Sequence, residues 1–468
     1  MMGGEARMTN GERWWAVCAA GCGVLLSTAF GLVTAQGAET VWKAGLARAV
    51  MTPETPVWLA GYGHKREPTG TLHDLWVKTL ALEDDQGRRA VLVTTDHMGI
   101  PKGMYESMCQ KVHDRFGLDR SQVMFTFTHN HCGPRLRGDL VDYYPIDEQQ
   151  TQLVDQYTDH VDELIVQTVG EALSRLAPAR LSTGQGTCAF AVNRRENTEE
   201  EVPRLRAEGK PLKGVVDHAV PVLTVHDQEG QLTAVLFGYA CHPTTLASLE
   251  WCGDYPGFAQ LELEQDHPGV TAMFVNTCGA DANPIPRRQL ALCARYGHLL
   301  AASVEEVLGG PLTPVGAGLC TKFEFVELAY EKVMTREELE QCATSESEIH
   351  ARWARRLLAK LDAGETFAAT YPYPVHVWRL GPELLFIGLG GEAVVDYALR
   401  FRSEFGPRAW TCGYADDLVA YIPSRRVWQE GGYEGGPHLD EYGHPALRWA
   451  GDVEARVVST VRRLVAQP

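Results

Sequence analysis

Runs of apolar, β-branched residues alternate along the chain with stretches in which apolar residues recur every three or four positions. The first pattern is typical of buried strands and the second of amphipathic helices. The predicted strands are Ala90–Thr95, Val123–Thr128, Ala234–Ala240, Ala272–Asn276 and Leu384–Leu389. The predicted helices are Val154–Leu176, Leu290–Leu308, Thr335–Leu361 and Glu392–Phe405. This alternation predicts an α/β fold in which mixed β-sheets are flanked by helices.

Each predicted strand runs into a short group of residues that can bind a metal ion or move a proton. These groups are Asp96-His97, His129-Asn130-His131-Cys132, Cys241-His242, Cys278 with Asp281, and Glu392. In α/β sheets, ligands bind in the crevice outside the carboxyl ends of the strands. We therefore expect one large domain with a single site at the carboxyl ends of its strands.

The candidate ligands also have ordinary structural interpretations. If the strand continues through His129 and His131, both rings lie on one face. One could then bind a metal while the other faces the substrate, or the two could be a structural pair. Pro243 favours an extended backbone at His242, which is equally compatible with a hydrogen-bonded core histidine. Glu392, placed at the start of a predicted helix, by default complements the helix dipole.

Composition excludes several classes of function. The formal net charge of -17 argues against nucleic-acid binding, which requires a basic surface. The sequence has no phosphate-binding P-loop, no His-Glu-x-x-His helix and no Gly-x-Ser-x-Gly elbow. Its cysteines include no Cys-x-x-Cys pair after residue 35, which argues against a thiolate zinc site.

The N-terminus resembles a targeting segment. Two arginines precede the apolar run Trp14–Val33, and Val33-Thr34-Ala35 supplies the small residues that signal peptidase requires. We therefore expect residues 1–35 to be a signal peptide or an N-terminal membrane anchor. Residues 36–468 would then form a catalytic domain that is exported, whether periplasmic, extracellular or anchored outside the cytoplasm.

Ordered short motifs run through nearly all of this predicted domain. They are Leu59–Gly63, Gly70–His73, Thr128–Pro134, Asn193-Arg194, His242–Thr244, Gly279–Pro284, Gly391-Glu392, and Tyr421 followed by Tyr433–Gly436. The set resembles the N-terminal catalytic domain of the neutral (alkaline, non-lysosomal) ceramidases. Asn130 and Cys132 stand where that family has threonine and a small residue. The resemblance is to a short form without the immunoglobulin-like C-terminal domain of larger members.

The resemblance implies a zinc-dependent amidohydrolase and a set of site residues. The Zn²⁺ ligands that it implies are His129, His242, Glu392 and Tyr421, and the residues that act on the substrate are His131, Arg194 and Tyr433. Tyr414 is the alternative to Tyr421. Two imidazoles, a carboxylate and a phenolate offer nitrogen and oxygen ligands that suit zinc. Taken without the resemblance, Arg194 in its charged segment is more readily a solvated side chain.

Three functions remain open from the sequence. The first is hydrolysis of the N-acyl bond of ceramide or a related lipid by metal-activated water, with association at a membrane surface. The second is an exported metallohydrolase or carbohydrate-active enzyme of the same fold that acts on another small molecule. The third is a binding protein that retains a structural zinc. An apolar channel beside the metal would favour the first, a shallow polar cleft the second, and a closed four-ligand site the third.

Overall fold

Strands and helices alternate through residues 42–467, the part of the chain that the computed structural model describes. The strands are β1 (Trp42–Val50), β2 (Gly70–Thr71), β3 (Trp76–Asp84), β4 (Arg89–Thr95), β5 (Val123–Phe127), β6 (Ala177–Thr187), β7 (Ala191–Asn193), β8 (Ala219–Asp227), β9 (Leu232–Tyr239), β10 (Glu250–Trp251), β11 (Thr271–Asn276), β12 (Ala282–Pro284), β13 (Thr313–Pro314), β14 (Leu319–Ala329), β15 (Thr370–Leu380), β16 (Leu384–Gly390), β17 (Glu392–Ala393), β18 (Ala409–Ala415) and β19 (Tyr421–Ile422). The predicted targeting segment at residues 1–35 lies outside the described residues.

The helices differ widely in length. They are α1 (Lys102–Phe116), α2 (Glu148–Ser174), α3 (Glu201–Ala207), α4 (Asp254–Asp266), α5 (Leu290–Leu308), α6 (Arg336–Cys342), α7 (Glu348–Asp362), α8 (Val395–Phe405), α9 (Arg425–Glu430), α10 (Gly432–Gly435) and α11 (Val453–Ala466). A 3₁₀ turn occupies Arg120–Gln122. None of the helices in residues 42–467 combines the length and the apolar character that crossing a bilayer requires.

A single mixed sheet of thirteen strands organises the described residues. Its order is β11-β9-β8-β6-β1-β3-β4-β5-β18-β16-β15-β14, and β13 pairs with β6 at the side of this path. The pairs β4–β5, β9–β11 and β16–β18 are parallel, and the remaining neighbours are antiparallel. The predicted α/β fold with a mixed sheet and flanking helices is confirmed.

The sheet curves until strands from its two halves share one core. Leu92 of β4, Leu223 of β8 and Phe386 of β16 belong to the same buried cluster. A bridge between Thr277 and Cys412 ties the end of β11 to β18. Helices α1, α2, α4 and α5 pack on one part of the outer face, and α8 and α11 pack on another. This curvature brings the carboxyl ends of β5, β9 and β16 towards one another.

The predicted strands are all present, with ends shifted by at most two residues. The helix Leu290–Leu308 has the predicted bounds, whereas the helix predicted from Val154 begins earlier, at Glu148. Its first turns are polar and carry no apolar periodicity, but the Asp147 side chain caps them by accepting the Gln150 N–H at 2.8 Å.

The single helix predicted over Thr335–Leu361 is wrong. The chain forms α6 and α7, separated by a break at residues 343–347. Thr335 and Ser347 each cap a helix by accepting a backbone N–H, so the break follows from a second N-cap signal inside the segment. The expected helix start at Glu392 is also wrong, because α8 begins at Val395.

Candidate metal centre

Three segments that follow strands bring His129, His242 and Glu392 together. Their ligand atoms all lie within 4.8 Å of one another, and the residues are 2%, 1% and 1% exposed. We call these three residues the His–His–Glu cluster. Their convergence at strand ends, from positions far apart in sequence, is the arrangement that the sequence predicts.

Glu392 is placed by a two-residue strand and not by a helix. Strand β17 pairs in parallel with β19, and the register sets Glu392 opposite Tyr421. Gly391 has a φ of 62°, and a Cβ at this position would lie 2.4 Å from the Ala420 carbonyl oxygen. Glycine is therefore required here for the two strands to approach closely.

His129 and His131 do not continue strand β5, contrary to one interpretation of their spacing. The strand ends at Phe127, and His129 has a φ of 62°, in the left-handed region. This turn still leaves the two rings in contact, with Nε2 of His131 3.2 Å from Nε2 of His129. His131 therefore lies directly beside the His–His–Glu cluster.

The two cluster histidines use their Nδ1 hydrogens elsewhere. His129 Nδ1 donates to the Met98 carbonyl oxygen at 2.6 Å, and His242 Nδ1 donates to the Gly279 carbonyl oxygen at 2.9 Å. The tautomers assigned from these bonds leave a lone pair on each Nε2. Those atoms lie 3.2 and 3.1 Å from one carboxylate oxygen, Glu392 Oε2. Three lone-pair donors thus face one another, an arrangement that a cation would stabilise.

The charge states of the cluster agree with this geometry. Burial raises the pKa of the Glu392 carboxyl, but the neighbouring imidazoles outweigh it and hold the pKa well below its ordinary range. Burial, with a contribution from Arg194, lowers the pKa of His242 to about 4. Burial and the nearby imidazoles also hold the pKa of His131 well below its ordinary value. A carboxylate and imidazole nitrogens form a donor set that fits zinc.

Tyr421 and Arg194 lie next to the cluster. The Tyr421 hydroxyl is 3.5 Å from His242 Nε2, and Arg194 Nη2 donates to that hydroxyl at 3.0 Å. Arg194 is held in turn by Glu434, whose Oε1 accepts from Nε at 2.7 Å. The ring of Tyr433 lies 5.1 Å from that of Tyr421 and is about half exposed. All seven residues that the sequence singles out therefore gather in one place.

The sequence profile described as "Neutral/alkaline non-lysosomal ceramidase, N-terminal" matches residues 42–297, more than half of the chain. The chain belongs to this family. Membership implies a hydrolase that acts on amide bonds. The matched residues include His129, His131, Arg194 and His242, but Glu392, Tyr421 and Tyr433 lie beyond them. The convergence of those three on the site is shown by the structure alone.

Two solved ceramidase structures share the fold. The crystal structure of neutral ceramidase from Pseudomonas aeruginosa is 21% identical, with a TM-score of 0.66 over 91% of this chain and 75% of that chain. A structure described as "Ceramidase complexed with C2" is 19% identical, with a TM-score of 0.67 over 92% of this chain and 77% of that chain. No curated protein matches the chain in sequence.

Several residues support the ceramidase-family site although the sequence analysis assigns them no role. Tyr442 donates its hydroxyl hydrogen to Glu392 Oε1, the carboxylate oxygen that faces away from the two histidines. Glu434 fixes Arg194, and the carbonyls of Met98 and Gly279 orient the histidines. Glu434 lies within the motif Tyr433–Gly436, and Tyr442 lies shortly after it, in a stretch rich in tyrosine and glycine that could have pointed to both.

A cleft of about 650 Å³ opens beside Arg194 and Tyr433. Most of its lining is charged or polar, and Ile285 is the sole aliphatic side chain among the lining residues that the structure describes. Residues that form ion pairs in its walls are Arg194, Arg195, Glu199, Arg287, Glu430 and Glu434. We call this feature the polar cleft. Its lining differs from what a long acyl chain requires.

Proposed function

We propose that the protein is a zinc-dependent hydrolase that cleaves N-acyl amide bonds. The observation that carries the proposal is the set of three lone-pair atoms, from His129, His242 and Glu392, facing one another in the interior. Hydrogen bonds to backbone carbonyls direct the Nδ1 hydrogen of each ring away from these atoms. Family membership supplies the reaction class, hydrolysis of an amide.

Tyr421 is the proposed fourth ligand. Its hydroxyl lies 3.5 Å from His242 Nε2. Burial holds the pKa of this hydroxyl well above its ordinary value, and the Arg194 guanidinium that donates to it opposes the shift, as a bound cation would. The alternative, Tyr414, packs its ring 4.9 Å from the ring of His129. Its buried hydroxyl has no hydrogen-bond partner among residues 42–467, whereas the Tyr421 hydroxyl accepts a hydrogen bond from Arg194.

The remaining residues have separate roles in this proposal. Bound zinc would lower the pKa of a water molecule towards neutrality and polarise the amide carbonyl. His131, with Nε2 3.2 Å from that of His129, can take the proton of the attacking water and pass it to the leaving amine nitrogen. The Tyr433 hydroxyl can donate to the carbonyl oxygen as its negative charge develops. Arg194 holds Tyr421 in place.

Two classes of substrate have support. Ceramide, or a related lipid, is favoured by membership in the ceramidase family. A more polar amide is favoured by the polar cleft, because charged walls bind an aliphatic chain poorly. We further propose that the domain is exported and meets its substrate outside the cytoplasm, which rests on the sequence of residues 1–35.

Metal analysis combined with substrate assays tests this proposal. We expect about one zinc per chain in the purified protein. Removal of the zinc with a chelator should abolish hydrolysis, and added zinc should restore it. Assays on ceramide, a short N-acyl amide, an ester and a glycoside should show cleavage of the amides.

The chelator needs a control in which it is saturated with zinc before addition. Full amide hydrolysis by the metal-free protein would contradict the zinc assignment. Cleavage of the glycoside in the absence of any amide hydrolysis would contradict the reaction class. N-terminal sequencing of the protein recovered outside the cytoplasm tests export separately.

A further inference from the structure

Two arginines enclose Tyr62 beside the site. The Cζ atoms of Arg66 and Arg288 lie 4.7 and 5.8 Å from the centre of the Tyr62 ring. Arg288 Nη1 also donates to the Tyr62 hydroxyl at 3.0 Å. The Tyr62 ring lies 5.1 Å from that of His131, at an angle of 64°. One aromatic ring therefore separates the Arg288 guanidinium from the proposed proton carrier.

In the described part of the chain, neither of these two arginines has a salt-bridge partner of its own. The guanidinium of buried Arg66 donates only to carbonyl oxygens, at 2.7 to 2.8 Å. Within residues 42–467, neither Arg66 nor Arg288 forms a salt bridge with a carboxylate, whereas Arg194, Arg195 and Arg287 in the polar cleft each do. In a chain of net charge -17, this places two guanidinium groups without salt bridges beside the candidate metal centre. Glu199 lies close enough for Arg288 to lower its pKa, but the salt bridge of Glu199 is with Arg287.

The backbone holds Arg288 in an unusual conformation. Its φ of 78° lies in the left-handed region, which a residue with a long side chain adopts rarely and at a cost. Its backbone N–H donates to the Thr245 carbonyl oxygen at 2.6 Å, three residues after His242. The strained position thus ties an exposed guanidinium to the loop that carries a cluster histidine.

We propose that Arg288 binds a carboxylate on the amine portion of the amide substrate, so that the enzyme selects N-acyl amino acids over neutral N-acyl amines. The proposal rests on the proposed function, because the amine leaves on the side of His131, which delivers its proton. The planar guanidinium matches a carboxylate through two parallel hydrogen bonds. Arg66, with its donors occupied by carbonyls, adds to the positive potential without competing for the ligand.

A matched pair of soluble amides measures this selectivity. N-hexanoylglycine and N-hexanoylethanolamine share the acyl chain. The glycine amide ends in a carboxylate where the ethanolamine amide has a hydroxymethyl group. For the zinc-loaded protein, we expect kcat/KM to be about tenfold higher for the glycine amide. In Arg288→Gln this ratio should fall to near one, chiefly through a higher KM for the glycine amide. Arg288→Lys should retain part of the preference, since it keeps the charge but loses the paired donors.

Arg379→Gln is the control for removal of a surface charge. Arg379 is exposed on β15, lies near the end of the strand remote from Glu392, and has no carboxylate partner among the described residues. In Arg379→Gln, the ratio of kcat/KM for the glycine amide to kcat/KM for the ethanolamine amide should equal that of the wild type. A wild-type preference for the ethanolamine amide, or an unchanged ratio in Arg288→Gln, would overturn the proposal.

Equilibrium binding separates this proposal from the proposed function. If neither amide is hydrolysed, the proposed function fails, and both compounds are titrated into the zinc-loaded protein by calorimetry. Tighter binding of the glycine amide that is lost in Arg288→Gln would still support the carboxylate site. Equal affinity for the two compounds in the wild type would refute it.

Discussion

The His–His–Glu cluster and the polar cleft lie side by side but are built in opposite ways. The cluster has almost no solvent exposure, and backbone carbonyls next to strand ends fix its rings. The cleft is walled by charged side chains on loops and on the short helices α9 and α10. Rigid elements hold the side chains that would take part in the reaction, whereas loops carry the side chains that would select the substrate. Changes to the cluster should therefore remove turnover, and changes around the cleft should alter which substrate is used.

The largest effect is expected for His242→Ala. The substitution removes one of the two imidazoles that face Glu392 Oε2, so zinc binding and amide hydrolysis should both be lost. We expect kcat to fall by roughly a thousandfold or more. Metal content by mass spectrometry and the rate of amide hydrolysis measure the two losses independently.

His113→Ala is the matched control, because His113 is exposed on α1. It should keep both zinc and activity. Wild-type activity in a His242→Ala protein without zinc would show that the cluster is structural. The proposed division, in which the cluster carries the reaction and the cleft selects the substrate, would then be wrong.

The second effect concerns stability, at a buried aspartate whose backbone supports the cluster. The Asp417 carbonyl oxygen accepts the N–H of Gly391 at 2.8 Å, next to Glu392. Burial raises the pKa of the Asp417 side chain from 3.8 to about 7, although Tyr371 and Lys102 oppose the shift. Between these values the folded protein binds more protons than the unfolded chain, so stability falls as pH rises from about 4 to about 7.

Asp417→Asn should lose this part of the pH dependence. Asparagine does not ionise, so at pH 8 the variant should be more stable than the wild type, by up to about 4 kcal/mol. Urea unfolding at pH 5 and pH 8 measures the difference, and Asp85→Asn, in an exposed turn, is the control. A variant less stable than the wild type at pH 8 would show that the ionised carboxylate is favourable in the folded protein.

The sequence predicts the cluster better than its surroundings, for a physical reason. Strand periodicity places five groups of candidate residues at strand ends, and the resemblance to the ceramidase family selects His129, His242 and Glu392 among them. The turn at His129 and the short β17–β19 pairing are not predicted, since each depends on contacts between distant segments. Periodicity over a few residues cannot distinguish a two-residue strand from a first helical turn.

The surroundings depend on pairs of charged residues that no local pattern links. Glu434 holds Arg194 across 240 positions, and Arg288 reaches Tyr62 across 226. The charged segment around Arg194 predicts a solvated side chain. Only its contact with Glu434 in the folded chain indicates a role at the site. The polar cleft could therefore be recognised only once the fold had placed these residues together.

The third effect is expected for Tyr442→Phe. Its hydroxyl donates to Glu392 Oε1, which orients the carboxylate so that Oε2 faces the two histidines. Loss of this bond should weaken zinc affinity by roughly 10- to 100-fold, the usual cost of removing a residue that orients a ligand. Competition with a fluorescent chelator measures the affinity.

Tyr330→Phe is the matched control for Tyr442→Phe. Tyr330 is also a buried tyrosine with a bonded hydroxyl, 2.8 Å from His444 Nδ1, but its partner is outside the cluster. Its zinc affinity should be that of the wild type. Equal zinc affinity in both variants would show that the Tyr442 hydroxyl does not orient the Glu392 carboxylate and only contributes to packing.

The smallest effect is expected for Tyr433→Phe, at the boundary between cluster and cleft. The ring packs on Tyr421 and lines the polar cleft, while the hydroxyl donates to Glu441 Oε2 at 2.9 Å. If this hydroxyl stabilises the developing oxyanion, kcat should fall by about tenfold with zinc content unchanged. The loss is modest because the Tyr433 side chain is half exposed, so water can replace part of the hydrogen bond. Tyr143→Phe, at a partly buried tyrosine that packs on Tyr144 with ring centres 5.9 Å apart, should leave kcat unaltered. A Tyr433→Phe protein that changed KM alone would place Tyr433 with the cleft, as a residue that binds substrate and takes no part in the reaction.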